Sequence, residues 1–168
     1  SSAGPGARTA AGLVAFTIGT ETLGSIVSPS TRNGVTGLRP TFGTVSRHGA
    51  MALVWSMDKI GPMCRTVEDC ALVYQAIRGA DGHDLTVRDA PFTWDPSRDA
   101  RRLRVGYYRS AFEEDHETKA FDDAALGVLR RLGFELVPFE TPDQYPLNAL
   151  RSAILTAESA AAFDELTR

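Results

Sequence analysis

Apolar and polar positions in this chain repeat with two periods, and the switches between them mark out its elements. Small residues over 7–13 suit a tightly packed helix, and Val14-Ala15-Phe16-Thr17-Ile18 has the β-branched and aromatic content of a buried strand. After Gly19, residues 20–31 are crowded with hydroxyls and turn formers, too polar for a core strand and too apolar for a linker, which predicts a shaped loop. Residues 35–40 and 42–45 read as short strands punctuated by Gly and Pro. Thr66 heads a capping-box pattern with Asp69, opening a helix that sets Val67, Cys70, Ala71, Tyr74 and Ile77 on one face and stops at Gly79.

Residues 81–102 hold Asp-containing turn clusters with Pro91 and Pro96, and predict an ordered surface connection. A strand over 103–108 follows. A helix from about Glu117 then places Ala120, Phe121, Ala124, Val128 and Leu132 inward and stops at Gly133, before a strand over 134–137. Together these make a βαβ unit with parallel strands. The expected fold class is α/β, a mixed β-sheet flanked by helices, as a single domain over residues 1–168. Ser1 opens in mid-loop without a Met, and residues 157–168 close in a helical pattern without a stop signal, so a fragment truncated at both ends is expected.

Composition narrows the function classes. With 43% apolar and 23% charged residues the chain is of ordinary globular make-up, and a net charge of −3 supplies no basic field for nucleic acid. No apolar run approaches the roughly 20 residues of a membrane span. The compartment stays unassigned, with the cytoplasm as default. Cys64 and Cys70 read as buried thiols, and His48, His83 and His116 are spaced too irregularly to suggest a metal site, so no metal and no cofactor are expected. A Gly-x-Ser-x-Gly elbow, a His-Glu-x-x-His pair and a phosphate-binding P-loop are all absent. A Ser25/His48 dyad with Asp58 is conceivable, but no local pattern supports it.

What remains is a pair of serine clusters. Ser1-Ser2-x-Gly-x-Gly is followed, after a helix and a strand, by Gly19-Thr20-Glu21-Thr22-x-Gly24-Ser25-Ile26-x-x-Pro29. This arrangement resembles the amidase signature family, whose hallmark is a Gly/Ser-rich segment and then Gly-Thr-Asp-x-Gly-Gly-Ser-Ile-Arg-x-Pro. The similarity continues through Gly34-Val35-Thr36-Gly37-Leu38-Arg39-Pro40-Thr41-Phe42-Gly43 and through Met57-Asp58-Lys59-Ile60-Gly61-Pro62-Met63 to Asp69. It therefore covers about the first 80 residues.

The resemblance implies that Ser25 is the acylating nucleophile and Ser1 a bridging serine that relays a proton to a lysine upstream of Ser1. It further implies that the backbone N–H groups of Thr22, Leu23, Gly24 and Ser25 surround the oxyanion, with Ser2 hydrogen-bonding in the same cluster. A serine hydroxyl is a weak nucleophile until a base takes its proton, and a lysine can be that base when burial lowers its pKa. Three departures stand out. Leu23 replaces a Gly and would be strained if that position needs positive φ; Val27 replaces an Arg, favouring neutral or apolar amides; and Glu21 replaces an Asp. The chain has only two lysines, Lys59 and Lys119, neither in the place of the family's catalytic lysine, so the isolated chain is expected to be inactive. Lys59 as a substitute base is disfavoured against a loop ion pair with Asp58.

The expected partner is a small-molecule amide substrate, with neither nucleic acid nor membrane, and a homodimer is left open. Three alternatives accompany the amidase reading: an amidotransferase component that frees ammonia from glutamine, an N-terminal-nucleophile hydrolase acting through Ser1, and a noncatalytic remnant.

Overall fold

Three strands, β1 (Thr17–Glu21), β2 (Thr36–Gly37) and β3 (Lys59–Cys64), form an antiparallel sheet in the order β1-β3-β2. In this computed structural model, which describes residues 1–140, 142 and 145–168, Gly19 on β1 stands opposite Gly61 on β3. A Cβ on Gly19 would lie 2.9 Å from Ser2 Oγ and 3.1 Å from Ile26 Cγ1. One on Gly61 would strike the Leu38 carbonyl oxygen and come within 2.6 Å of Pro40 Cδ. Bare backbone at both positions lets Ser2 and Ile26 close down on the sheet.

The described residues divide into two compact units, Ser1–Trp94 with Asn148–Arg168, and Asp95–Leu147. In the first, α1 (Ala3–Ala10), α2 (Val27–Asn33) and α3 (Val67–Ile77) pack on the three-stranded sheet around a core of Ile26, Val54, Met63, Cys64 and Cys70. Residues 81–94 connect without regular structure, and the carboxylate of Asp81 accepts the amides of His83 and Asp84. In the second unit, β4 (Arg104–Tyr108) and β5 (Glu135–Phe139) pair in parallel, joined by α4 (Arg109–Glu113) and α5 (Lys119–Arg131). The chain then returns to the first unit through α6 (Leu147–Ala162), where Glu158 accepts the amide and hydroxyl of Ser56 at 3.0 and 2.5 Å, and ends in the short α7 (Asp164–Thr167). The α/β class and the βαβ unit are as the sequence predicts.

Several elements lie elsewhere than expected. The first helix runs from Ala3 to Ala10 rather than over 7–13; Gly12, at φ 70°, ends it early, leaving Leu13, Val14 and Phe16 exposed, and the strand follows at Thr17–Glu21. The predicted loop over 20–31 contains the last strand residues and most of α2, whose first turn accommodates Pro29 because no intrahelical donor is lost there. Within 35–45 only Thr36–Gly37 is strand, with Val45 bridging Arg78 and Gly79.

Helix faces also differ from expectation. Thr66 Oγ1 caps α3 by accepting the Asp69 amide at 3.0 Å, and Cys70 and Ala71 are buried, but Val67 in its first turn is exposed. On α5 the buried residue is Leu126, while Ala120, Phe121, Ala124, Val128 and Leu132 are exposed. Two apolar stripes, one of them containing Leu126, compete on this helix, and the period alone does not choose between them.

Substitution Gly61→Ala is expected to destabilise the protein by about 1–3 kcal/mol through overpacking. Gly4→Ala, in helix α1 with open space around it, is expected to cost nothing or to stabilise slightly. Urea unfolding of the two variants checks both.

Candidate active site

Strand β1 ends at Glu21, and the chain turns through Thr22, Leu23, Gly24, Ser25 and Ile26 into α2. The turn is built on the Glu21 carboxylate, whose side chain is wholly buried. Its Oε2 accepts the N–H of Ile26 at 2.7 Å and of Val27 at 2.9 Å, and Oε1 pairs with Arg39 Nη1 at 3.4 Å. Two donors that would be orphaned at the helix start are thereby satisfied by an anion placed where the helix dipole favours it.

Three of the turn's carbonyls, those of Thr22, Gly24 and Ser25, are taken as well. Lys59 Nζ donates to the Thr22 oxygen at 3.0 Å, the Ser28 amide to Gly24 at 2.8 Å, and the Ser2 amide to Ser25 at 2.9 Å. The side chain of Thr22 is fixed too, its Oγ1 donating to Asp58 at 2.5 Å while Asp58 accepts the amides of Leu53 and Val54. Among the described residues, the N–H groups of Thr22, Leu23, Gly24 and Ser25 have no acceptor, and neither does the Ser25 hydroxyl have a partner. A stretch anchored by its carbonyls with four unspent amides is suited to receive an oxygen anion.

A cavity of about 520 Å³ lies over this turn. Ser1, Thr20, Thr22, Ser25, Asp58 and Lys59 supply its hydroxyl and charged lining, and Met51, Leu53, Trp55, Leu85 and Phe163 its apolar lining. Ser1 is exposed and Ser25 half-buried, whereas Ser2 is buried and turned onto β1, its Oγ donating to the Thr20 oxygen and accepting the Thr20 amide, both at 3.0 Å. Leu23 and Gly24 belong to the turn, and Leu23 is partly exposed. His48, His83, Arg47 and Asp84 complete the lining.

His48 stacks on His83 with ring centroids 4.5 Å apart, and Asp58 is committed to Thr22 and two amides, so the Ser25/His48/Asp58 set shares the cavity without being wired as a triad. Lys59 differs from expectation. Its amine is not in a loop pair with Asp58 but sits on β3 against the Thr22 carbonyl, and burial, followed by repulsion from Arg39, lowers its pKa below the usual lysine value. Beside the cavity, Arg47 ties Asp84 through Nε and its own amide, both at 3.0 Å. The Arg47 guanidinium, with help from the Thr86 hydroxyl, holds the Asp84 carboxyl well below the usual carboxylate range. Among the described residues no group of three or more His, Cys, Asp or Glu could hold a metal, and no helix is long and apolar enough to cross a membrane. Cys64 and Cys70 are buried and unpaired by disulfide, and burial together with the hydrogen bond its own S–H donates to Cys70 pushes the Cys64 thiol up to about 12.

A family model described as Amidase matches residues 1–168, the whole chain. The chain belongs to the amidase family. It is 40% identical over 172 residues to a glutamyl-tRNA(Gln) amidotransferase chain of Roseiflexus sp. (strain RS-1), covering 98% of this chain and 35% of that one. Among solved structures, the glutamyl-tRNA(Gln) amidotransferase chain from Thermotoga maritima superposes with a TM-score of 0.85 at 31% identity, over 94% of this chain and 36% of that chain. The native peptide amidase from Stenotrophomonas maltophilia gives a TM-score of 0.76 at 33% identity, over 96% and 36%. The chain thus spans about a third of the length of the curated relatives it matches.

Within the amidase family the three departures acquire physical meaning. No non-glycine residue among those described has positive φ, so Leu23 is accommodated without left-handed strain. Val27 stands half-exposed at the start of α2, leaving no guanidinium there. The longer arm of Glu21 reaches two amides at once. Sequence reasoning missed the roles of Glu21, Asp58 and Lys59; the signal for Glu21 was an acidic residue six positions ahead of a Pro-containing helix start.

Glu21→Ala is expected to cost about 3 kcal/mol or more, since two charge-assisted hydrogen bonds vanish and two amides are left unsatisfied, and Glu21→Gln less than half of that. Urea denaturation measures both. Because the folded-state pKa of Asp84 is depressed, its contribution is complete above the unfolded value of about 3.9 and is lost as pH falls below it. Asp84→Asn should therefore narrow the loss of stability on acidification below about pH 4, measured as unfolding midpoints against pH.

Proposed function

We propose that the protein hydrolyses a carboxylic amide C–N bond through an acyl-enzyme on Ser25. The observation that carries this reading is the turn from Thr22 to Ser25, with three of its carbonyls anchored, its four amides unspent and its serine hydroxyl open to the cavity. Ser25 Oγ attacks the substrate carbonyl carbon as its proton passes through the Ser1 hydroxyl to a lysine. The carbonyl oxygen becomes the oxyanion among the amides, a role worth about 2.7–4 kcal/mol per donor. When the C–N bond breaks, the proton returns to the departing nitrogen, and water then cleaves the Ser25 ester by the same route. Lys59 and Lys119 are both engaged, on Thr22 and on Asp123, so the base is taken to be a lysine of a segment other than the residues described. Both compact units are proposed to belong to one amidase domain.

The apolar lining of Met51, Leu53, Trp55, Leu85 and Phe163, with Val27 in place of a guanidinium, supports a neutral or apolar amide as substrate. A second reading, release of ammonia from glutamine within an amidotransferase, is favoured by the 40% identity to relatives named as part of such an enzyme. Glutaminase activity of the native-length protein would put it first.

Treatment of the native-length protein with an alkoxy fluorophosphonate, followed by peptide mass spectrometry, is expected to place the label on Ser25 and to find none after Ser25→Ala. Label on Ser1 would favour an N-terminal nucleophile instead. The 168-residue chain alone is expected not to turn over an aryl amide.

A further inference from the structure

The geometry points to Lys59 as a positioning residue for the oxyanion site: its ammonium holds the Thr22–Leu23 peptide by the carbonyl, aiming the Leu23 N–H and strengthening it as a donor. This inference rests on the acyl-enzyme at Ser25 proposed above.

Lys59 lies directly opposite Glu21 in the β1–β3 register, and its Nζ reaches one residue past the end of β1 to the Thr22 oxygen at 3.0 Å. In a trans peptide the carbonyl and the following N–H point in opposite directions, so a cation fixed on the Thr22 oxygen sets the direction of the Leu23 amide. It also draws electron density through the amide, leaving the Leu23 hydrogen more positive. The three anchored carbonyls of the turn are not equivalent in this respect. Those of Gly24 and Ser25 accept from neutral backbone amides, whereas that of Thr22 accepts from a side-chain amine. Asp58, the residue before Lys59, takes the Thr22 hydroxyl at 2.5 Å, so two consecutive residues of β3 and its approach clamp one residue of the turn.

The charged groups facing the amine are Arg39 and Arg47, which disfavour its protonation, and Glu21 and Asp58, which favour it. Burial adds to the former, and the balance lowers the pKa from the ordinary lysine value. Polarisation of the Leu23 amide is therefore lost on alkalinisation earlier than an ordinary lysine would lose its proton.

The test uses the native-length protein and the rate of phosphonylation of Ser25 by a neutral fluorophosphonate, in which the Oγ–P bond forms, the P–F bond breaks and the serine proton leaves with fluoride. Rate and affinity are separated by varying reagent concentration from neutral to alkaline pH. Lys59→Met is expected to slow the maximal rate about ten-fold, less than the roughly 10²–10³ that loss of a whole oxyanion donor causes, with the affinity unchanged. Lys59→Arg is expected to restore most of the rate and to move the alkaline decline upward, because a guanidinium stays charged. Should Lys59→Met not fold, the upward shift in Lys59→Arg carries the test alone. Equal rates and equal pH profiles in all three proteins would overturn the inference. So would a fall of Lys59→Met to the level of Ser25→Ala, which would make Lys59 the base, or an effect confined to reagent affinity. Wild-type protein unlabelled at Ser25, by contrast, would sink the acyl-enzyme reading itself.

Discussion

A single buried carboxylate organises the site. Removing a charge from water is costly, and Glu21 is stable in the interior only because its oxygens accept two amides and a guanidinium. That requirement starts α2 at Val27 and forces the five residues between strand and helix into one tight turn. With the Ile26 and Val27 amides committed to Glu21 and the carbonyls of Thr22, Gly24 and Ser25 committed elsewhere, the amides of Thr22 to Ser25 are what the turn has left to offer a ligand. The chemistry proposed for the site is a by-product of satisfying the carboxylate.

The sheet makes this arrangement possible. Ile26, the residue next to the proposed nucleophile, is wholly buried and reaches toward both Gly19 and Gly61, so the turn is fastened to the sheet by a side chain as well as by hydrogen bonds. Ser2 anchors the other serine cluster to the same strand through Thr20 and to the turn through the Ser25 carbonyl. Strand β3 contributes from its leading end, where Asp58 and Lys59 grip Thr22 by hydroxyl and carbonyl. Two serines distant in sequence thus come to line one cavity because three separate elements converge on a five-residue turn.

Much of this was legible in the amino-acid order, and the exceptions have physical causes. The α3 cap at Thr66 and the Gly79 and Gly133 stops are local signals, and the structure places them where expected. Spaced motifs around Ser1 and Ser25 were sufficient to indicate the family. Strand β3 was not legible, because Gly61-Pro62 reads as a breaker; Pro62 is tolerated there since its position opposite Ile18 asks for no donated hydrogen bond and its carbonyl still serves Leu38. With β3 unread, Lys59 falls in a loop and its reach to Thr22 cannot be foreseen. Glu21 stands out in the sequence as a longer aspartate, but its contacts depend on the turn it creates, and no sequence period encodes them.

Amide hydrogen exchange resolved at residues 21–28 tests most directly the claim that Glu21 leaves the turn of the proposed nucleophile with unspent donors. The account predicts that the Ile26 and Val27 amides exchange slowly while those of Leu23, Gly24 and Ser25 exchange fast, and that these three become protected once Ser25 carries a phosphonyl group. Exchange at Ile26 and Val27 as fast as at Leu23, or no gain of protection across Leu23 to Ser25 in the adduct, would contradict it.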